Sequence, residues 1–397
     1  MVDRRTVLKA SAQLTLLAPF AKPAWAAADS DPRLVLVILR GGLDGLAAVP
    51  PYGEGRYRSL RGLLALEAPG TENGALKLDG LFGLHPALSN LHAMYRAGEA
   101  TVLHAAATPY RERSHFDAQK VLEAGGTSPT VSAGGWLNRA LSALAGTARP
   151  RDAVALGDSV PLVLRGEFAV DAWAPSRLPE TGDDTLARVK AMYEAVDPPL
   201  AERLDTALAE RALAGGADIG AGMGGRGGQA APLASAAARF LASADGPRIA
   251  VIDIGGWDTH ANQGAAQGRL AARLRVLDAG LQSLKSELGE CWRETSVLVV
   301  TEFGRTAAVN GTGGTDHGTA GCAFLAGGAV NGGRVVTDWP GLRSQDLREG
   351  RDLKPTLDLR AAFKGVLAEQ LGVGQAALER TVFPDSGGVR RVEGLIA

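Results

Sequence analysis

Only six histidines occur in 397 residues, and two of them stand beside an acid in short motifs, Asp258-Thr259-His260 and Asp316-His317-Gly318. A carboxylate next to an imidazole is the donor pair of a divalent metal site. Asp258 and His260 are two apart, so both face one point wherever the backbone leaves regular strand. Asp316 and His317 are adjacent, and the Gly313-Gly314 pair before them frees the loop to aim both. Asp44 adds a third carboxylate. Hard oxygen with imidazole suits zinc, manganese or iron better than a thiolate-seeking metal. The cofactor expected is a divalent ion: zinc, manganese or calcium. Two such ions would clamp the attacking and leaving oxygens of an ester. The plainer reading is that the acids cap turns and that the histidines are hydrogen-bonded loop residues. Taken together, the positions make Asp44, Asp258, His260, Asp316 and His317 candidate metal ligands, with Glu302 beside them.

Ser114 is the second point of chemical interest. It precedes His115-Phe116-Asp117-Ala118-Gln119-Lys120 at the expected start of a helix. One reading is a plain N-cap. The other uses the same geometry: the helix amino end favours an anion, and the hydroxyl is placed to attack phosphorus or sulfur. Arg111 and Arg113 lie just upstream and suit a bidentate grip on anionic oxygens. Glu302 and Arg305 follow a strand-like run. They either contact substrate or metal ligands, or pair with neighbouring charges. His85, His92 and His104 read as structural, whereas His115 stays open because it adjoins Ser114. Trp257 is a wall of the site or part of the core.

These groups need a scaffold, and the apolar pattern supplies one. Arg33 to Leu39 is a nearly unbroken branched-aliphatic run, as in a buried parallel strand. Further strands are expected at 100–107, 153–156, 162–164, 248–254, 296–301 and 320–326. Helices are expected at 86–98, after Ser114, at 183–213, 233–244 and 268–290. Residues 51–83 look irregular. Strands alternate with helices, so the class is α/β with a largely parallel central sheet flanked by helices. In such sheets, sites form beyond the carboxyl ends of the strands, where all the candidate acids lie.

The amino end reads as an export signal. Arg4-Arg5 precede an apolar stretch from about residue 10 to 21, and Ala24-Trp25-Ala26 is an A-x-A cleavage signal. This predicts a twin-arginine signal over 1–26, the twin-arginine translocase as a partner, and a periplasmic or secreted location. The remainder, 27–397, is expected to be one α/β domain, with a flexible Gly/Ala-rich loop at about 214–229. No later run is long and apolar enough to span a membrane. Removing 1–26 takes away Arg4, Arg5, Lys9, Lys22 and Asp3 and leaves 38 basic against 42 acidic residues. That balance argues against general nucleic-acid binding. Cys291 and Cys322 lack metal or redox spacing and are expected to be separate thiols.

Five motifs together carry a resemblance. They are Arg40-Gly41-Gly42-Leu43-Asp44-Gly45, Arg113-Ser114-His115-Phe116-Asp117-Ala118-Gln119, Gly255-Gly256-Trp257-Asp258-Thr259-His260, Thr301-Glu302-Phe303-Gly304-Arg305-Thr306 and Gly314-Thr315-Asp316-His317-Gly318. In that order they resemble the DUF1501 family, twin-arginine-exported bacterial proteins with no settled function. That family in turn resembles the alkaline phosphatase-like superfamily of phosphatases, sulfatases and phosphomutases. The resemblance implies an alkaline phosphatase-like fold, with Asp44 as the first-strand metal aspartate and Ser114 as the nucleophile. It further implies Asp258 and His260 in one metal site, with Asp316 and His317 split between two. The chain also departs from the superfamily pattern. No histidine follows His317, and Asp258 and His260 are closer together than usual. A second metal site is therefore absent, incomplete, or completed by Glu302 or His115.

The expectation is metal-dependent hydrolysis of a small anionic phosphate or sulfate ester, with Ser114 attacking and Arg113 or Arg305 steadying the anion. The alternative is a non-catalytic binding or assembly protein of the cell envelope that keeps the fold.

Overall fold

The computed structural model describes residues 31–130, 134–144, 151–157, 159–175, 183–213 and 230–397. The expected signal at 1–26 and the Gly/Ala-rich loop at 214–229 lie outside the described residues. Pro32–Ala397 form one compact unit. The first strand, β1 (Arg33–Arg40), is buried along almost its whole length. Its side chains alternate between two cores, as a strand covered on both faces requires. Val35, Val37 and Leu39 join one apolar cluster and Leu34, Leu36 and Ile38 join another.

Among the described residues eight more strands join the sheet. They are β2 (Ala100–Ala107), β3 (Ala153–Leu156), β4 (Asp171–Trp173), β5 (Ile249–Gly255), β6 (Thr295–Thr301), β7 (Gly321–Ala326), β8 (Arg334–Val336) and β9 (Leu357–Asp358). Their order is β8-β2-β7-β6-β1-β5-β3-β4, with β9 also pairing β2. Every pairing is parallel except those of β7, which runs antiparallel to both β2 and β6. The expected α/β class with a mostly parallel sheet is therefore what the chain adopts. β1 sits between β5 and β6, with Arg40 opposite Gly255 and Leu39 opposite Thr301. The loops after β1, β2, β5 and β6 and the loop entering antiparallel β7 consequently open at one edge.

The helices that matter for the site are α1 (Gly45–Ala48), α2 (Tyr57–Arg61), α3 (Ser89–Arg96), α4 (His115–Ala124) and α5 (Trp136–Ala143). Further along come α6 (Asp183–Val196), α7 (Pro198–Leu213), α8 (Ala230–Ala242), α9 (Arg269–Leu288) and α10 (Leu359–Leu371). The apolar residues of α3, α8 and α9 pack on one face of the sheet, and those of α5 and α10 on the other. Each fully buried aliphatic side chain contributes roughly 1.5–3 kcal/mol to that packing.

Two local expectations are corrected. Residues Leu162–Leu164 form a 3-10 turn rather than a strand. Pro161 fixes the entry conformation, and the Val163 N–H donates to the buried Glu123 carboxylate instead of to a neighbouring strand. The single helix expected over 183–213 is two, α6 and α7, split at Asp197. Pro198 cannot donate the next helical hydrogen bond and starts a new helix instead. Both cysteines are free thiols, as expected. Among the described residues no helix is long and apolar enough to cross a membrane.

Candidate metal centre

Two loops and the first turn of α4 bring imidazoles to one point. His115 is the first residue of α4, His260 follows β5, and His317 lies before β7. Nδ1 of His317 lies 3.0 Å from the Arg113 carbonyl oxygen, which can only accept. Nδ1 of His115 lies 2.8 Å from the Glu302 carboxylate. Nδ1 of His260 faces Asp316 at 3.4 Å. For His115 and His317 an outward Nδ1–H fixes the tautomer, so their Nε2 lone pairs point inward, as does Nε2 of His260. An imidazole held at its far nitrogen by a carboxylate or carbonyl is the usual arrangement of a metal-ligating histidine.

The inward atoms converge. Donor atoms of His115, Asp258 and His317 all lie within 4.8 Å of one another. Nε2 of His260 lies 2.9 Å from Nε2 of His317 and 3.0 Å from Oδ1 of Asp258. Nε2 of His115 is buried without a hydrogen-bond partner. Phe303 forms an apolar floor, its ring 4.7 Å from that of His115 and 5.0 Å from that of His317. Three imidazole nitrogens and one carboxylate, with an orphaned buried acceptor among them, fit a single divalent transition-metal ion. His115, His260, His317 and Asp258 are the residues that would hold it.

The charges around this cluster are set by named partners. Burial would raise the carboxyl pKa of Asp258, but the hydrogen bond and charge of Arg305 outweigh it and hold the group below its usual range. Glu302 is buried, which also opposes ionisation. His115, Gln119 and the Gly41 N–H nonetheless keep it well ionised. The hydrogen bond from Asn310, ahead of His260, lowers Asp316. Burial, then the neighbouring His115 and Arg305, depress the pKa of His317, which favours the neutral, ligand-ready imidazole.

Each residue singled out in the sequence has a definite place. Asp258, His260 and His317 meet in the cluster. Glu302 and Asp316 stand behind it, orienting His115 and His260. Asp44 is turned elsewhere. It caps α1 through the Ala47 N–H, pairs with Arg61, and accepts from Gln263 at 2.7 Å. Both members of that pair are buried, at 1% and 0% side-chain exposure. Gln263 then receives the Thr259 and Thr315 hydroxyls, each at 2.9 Å, so Asp44 is tied from below to both histidine-bearing loops.

The two arginines expected to steady an anion are also engaged. Arg305 is fully buried and donates to the carbonyls of Gly41, Gly42, Trp257 and Thr315 and to Asp258. It pins the loops after β1 and β5 to the loop before β7. Arg113 pairs with Glu349 and Asp352, and only its carbonyl reaches the cluster. Its backbone is left-handed, φ 60°, a strained conformation for a residue with a side chain. Ser114 is the N-cap residue of α4 by backbone, but its side chain makes no capping hydrogen bond. Trp257 is core, with its indole N–H on the Ile254 carbonyl.

Sequence alone leaves His115 open and gives no reason to single out Gln119, Gln263 or Asn310. His115 and Gln119 are four apart on α4, hence on one face, and both reach Glu302. That spacing was the available signal. Glycine at 41 is required sterically. Its φ is +125°, and a Cβ there would lie 2.7 Å from the Asp258 nitrogen.

A family model described as "Protein of unknown function (DUF1501)" matches residues 31–382. No curated protein matches the chain. Among solved structures, the chain is similar to Ps i-CgsB in complex with k-i-k-neocarrahexaose, at 11% identity and TM-score 0.43, covering 91% of this chain and 77% of that one. It is also similar to the phosphonate monoester hydrolase of Agrobacterium radiobacter, at 13% identity and TM-score 0.32, covering 77% and 70%. A third is the C-terminal periplasmic domain of EcEptC from Escherichia coli in complex with Zn, at 8% identity and TM-score 0.38, covering 74% and 72%.

Proposed function

The chain belongs to the DUF1501 family, and on that footing we propose that it is an exported, metal-dependent hydrolase of a phosphate or sulfate ester. The observation that carries this reading is the convergence of the His115, His260 and His317 Nε2 atoms on the Asp258 carboxylate. A divalent ion held there would supply Lewis-acid polarisation of an ester oxygen. Glu302, Asp316 and the Arg113 carbonyl orient the three imidazoles. Arg305 keeps Asp258 ionised and fixed. Ser114, the N-cap residue of α4 whose side chain makes no capping hydrogen bond, is the hydroxyl proposed to attack phosphorus or sulfur. The first-turn N–H groups of α4 favour negative charge developing beside it. Export by the twin-arginine translocase to the periplasm or beyond is supported by Arg4-Arg5 and Ala24-Trp25-Ala26.

A second reading is favoured by the engagement of Arg113 and Arg305 with carboxylates. In it the protein is a non-catalytic envelope component that keeps a structural ion. One experiment separates the two. The protein is purified without chelators from an export-competent host and its metal content measured. It is then offered chromogenic phosphate, phosphodiester and sulfate esters with zinc, manganese or calcium. The hydrolase reading expects bound metal, ester cleavage, and loss of both in Asp258→Ala. Bound metal with no ester cleaved selects the second reading. A well-folded protein that takes up no metal sinks the hydrolase reading and selects a binding or assembly role without an ion.

A further inference from the structure

A second charged cluster lies beside the segment that leads into Ser114. β9 pairs with β2 so that Leu357 faces Ala106 and Asp358 faces Ala107. The chain after β2 therefore runs alongside the segment around β9. Arg111 folds back onto the carbonyls of Thr108 and Tyr110. Arg113 crosses to Asp352, whose carbonyl accepts from the Arg348 N–H. Arg360 lies two residues beyond Asp358, in the first turn of α10. Arg111, Arg348 and Arg360 are thereby carried on two segments that lie side by side, near enough for the charges of Arg348 and Arg360 to act on Arg111.

Their hydrogen bonding is incomplete. Arg360 has a side-chain exposure of 7% and gives two of its nitrogens to Asp358, yet its Nη1 is buried with no partner. Nε of Arg348 is likewise buried and unpartnered, while its Nη2 lies 3.2 Å from Glu349. Burial, then the charge of Arg348, lowers the pKa of Arg111, with Asp358 opposing and Arg360 adding. Like charges crowd here, and Asp358 and Glu349 answer them only in part. Buried N–H donors left unpaired are costly, and an oxyanion satisfies guanidinium groups several at a time.

We propose that Arg111, Arg348 and Arg360 form an anion-binding site, separate from the imidazole cluster, that takes a tetrahedral oxyanion of the phosphate or sulfate type. The site does not require that the protein cleave esters. If it does, its substrate carries a second anionic group beyond the one at the metal centre.

The test is calorimetric titration of inorganic phosphate and of sulfate into the full chain after chelator treatment. The protein is compared with Arg111→Gln, with Arg348→Gln, and with His260→Ala/His317→Ala, which removes two of the candidate metal donors and leaves all three arginines in place. Arg360 is left intact because it holds the N-cap of α10 through Asp358. Saturable binding is expected in the parent and in the double histidine variant, weakened roughly tenfold or more in each arginine variant. Phosphate should also raise the unfolding temperature of the parent by more than that of the arginine variants, whose own cooperative transitions check that they fold. No saturable binding in the parent overturns the site, as does unchanged binding in both arginine variants or loss confined to the histidine variant. A sugar phosphate that binds as tightly as the inorganic ion assigns the site to a group on a larger molecule, and exclusion of the sugar phosphate assigns it to the free ion. Failure of metal uptake would leave these titrations unaffected, so this site and the hydrolase reading stand or fall apart.

Discussion

His260 and His317 turn their Nε2 atoms toward each other at 2.9 Å. The carbonyl of Arg113 requires the proton of His317 on Nδ1, and Asp316 faces Nδ1 of His260. The Nε2 lone pair of His317 therefore faces Nε2 of His260, a pairing that either a shared proton or a bound cation satisfies. Glu302 performs the same orienting task for His115 from beneath. Substituting Glu302→Gln should leave the donors in place but loosen His115, weakening metal binding about 10- to 100-fold. Competition against a chromophoric chelator measures this, and an unchanged affinity would remove Glu302 from the metal centre.

Asp44 gives a contrasting expectation. Its carboxylate is spent on Arg61, Gln263 and the Ala47 N–H. Asp44→Ala strands a buried guanidinium and should destabilise the fold by about 3–5 kcal/mol in urea unfolding. Metal stoichiometry of the folded variant should equal that of the parent. A stable variant that has lost its metal would return Asp44 to the ligand set.

Arg305 tests whether the loops are held by one cation. Its fork spans four carbonyls and Asp258. Arg305→Met should cost roughly 2–5 kcal/mol by leaving those acceptors unmet. It should also weaken metal binding, because Asp258 loses its orienting partner. Arg305→Lys should restore the charge but not the planar fork, and so recover metal affinity only in part. Full recovery by lysine would show that charge alone matters.

Two histidines away from the site predict a pH dependence. His85 and His104 each lie against a carbonyl at Nε2, while Nδ1 accepts a backbone N–H. Burial, opposed by the hydrogen bond to the carbonyl, pushes each pKa down to about 4 from an ordinary 6.5. The unfolded chain therefore binds more protons than the folded one between those values. Stability present above about 6.5 should fall as pH drops toward about 4, by up to roughly 3 kcal/mol for each group. Urea unfolding across that window should show the slope, and His104→Gln should flatten it. An equal slope in the variant would assign the loss to other groups.

Gly41 offers a steric check. Gly41→Ala drives a methyl against the Asp258 nitrogen from a left-handed backbone. Metal affinity should drop by about tenfold or more, because Asp258 must move. Retained affinity would mean that the loop after β5 adjusts without moving the ligand.

Sequence by itself determined the scaffold. Unbroken branched runs such as Arg33–Arg40 and Thr295–Thr301 have no polar face, so they are stable only as central strands covered on both sides. Loops after such strands open at one edge, which is why Asp258, His260, Glu302 and His317 were legible as neighbours. The short apolar run Leu162–Leu164 was not legible, because three residues cannot distinguish a strand from a turn and a contact with distant Glu123 decided it. The division of roles within the site was equally closed to sequence. Asp44 and Asp258 are both strand-end aspartates. Only tertiary structure set Arg61 against one and left the other facing three imidazoles, because a carboxylate's role is fixed by the cation or donor that folding brings to it.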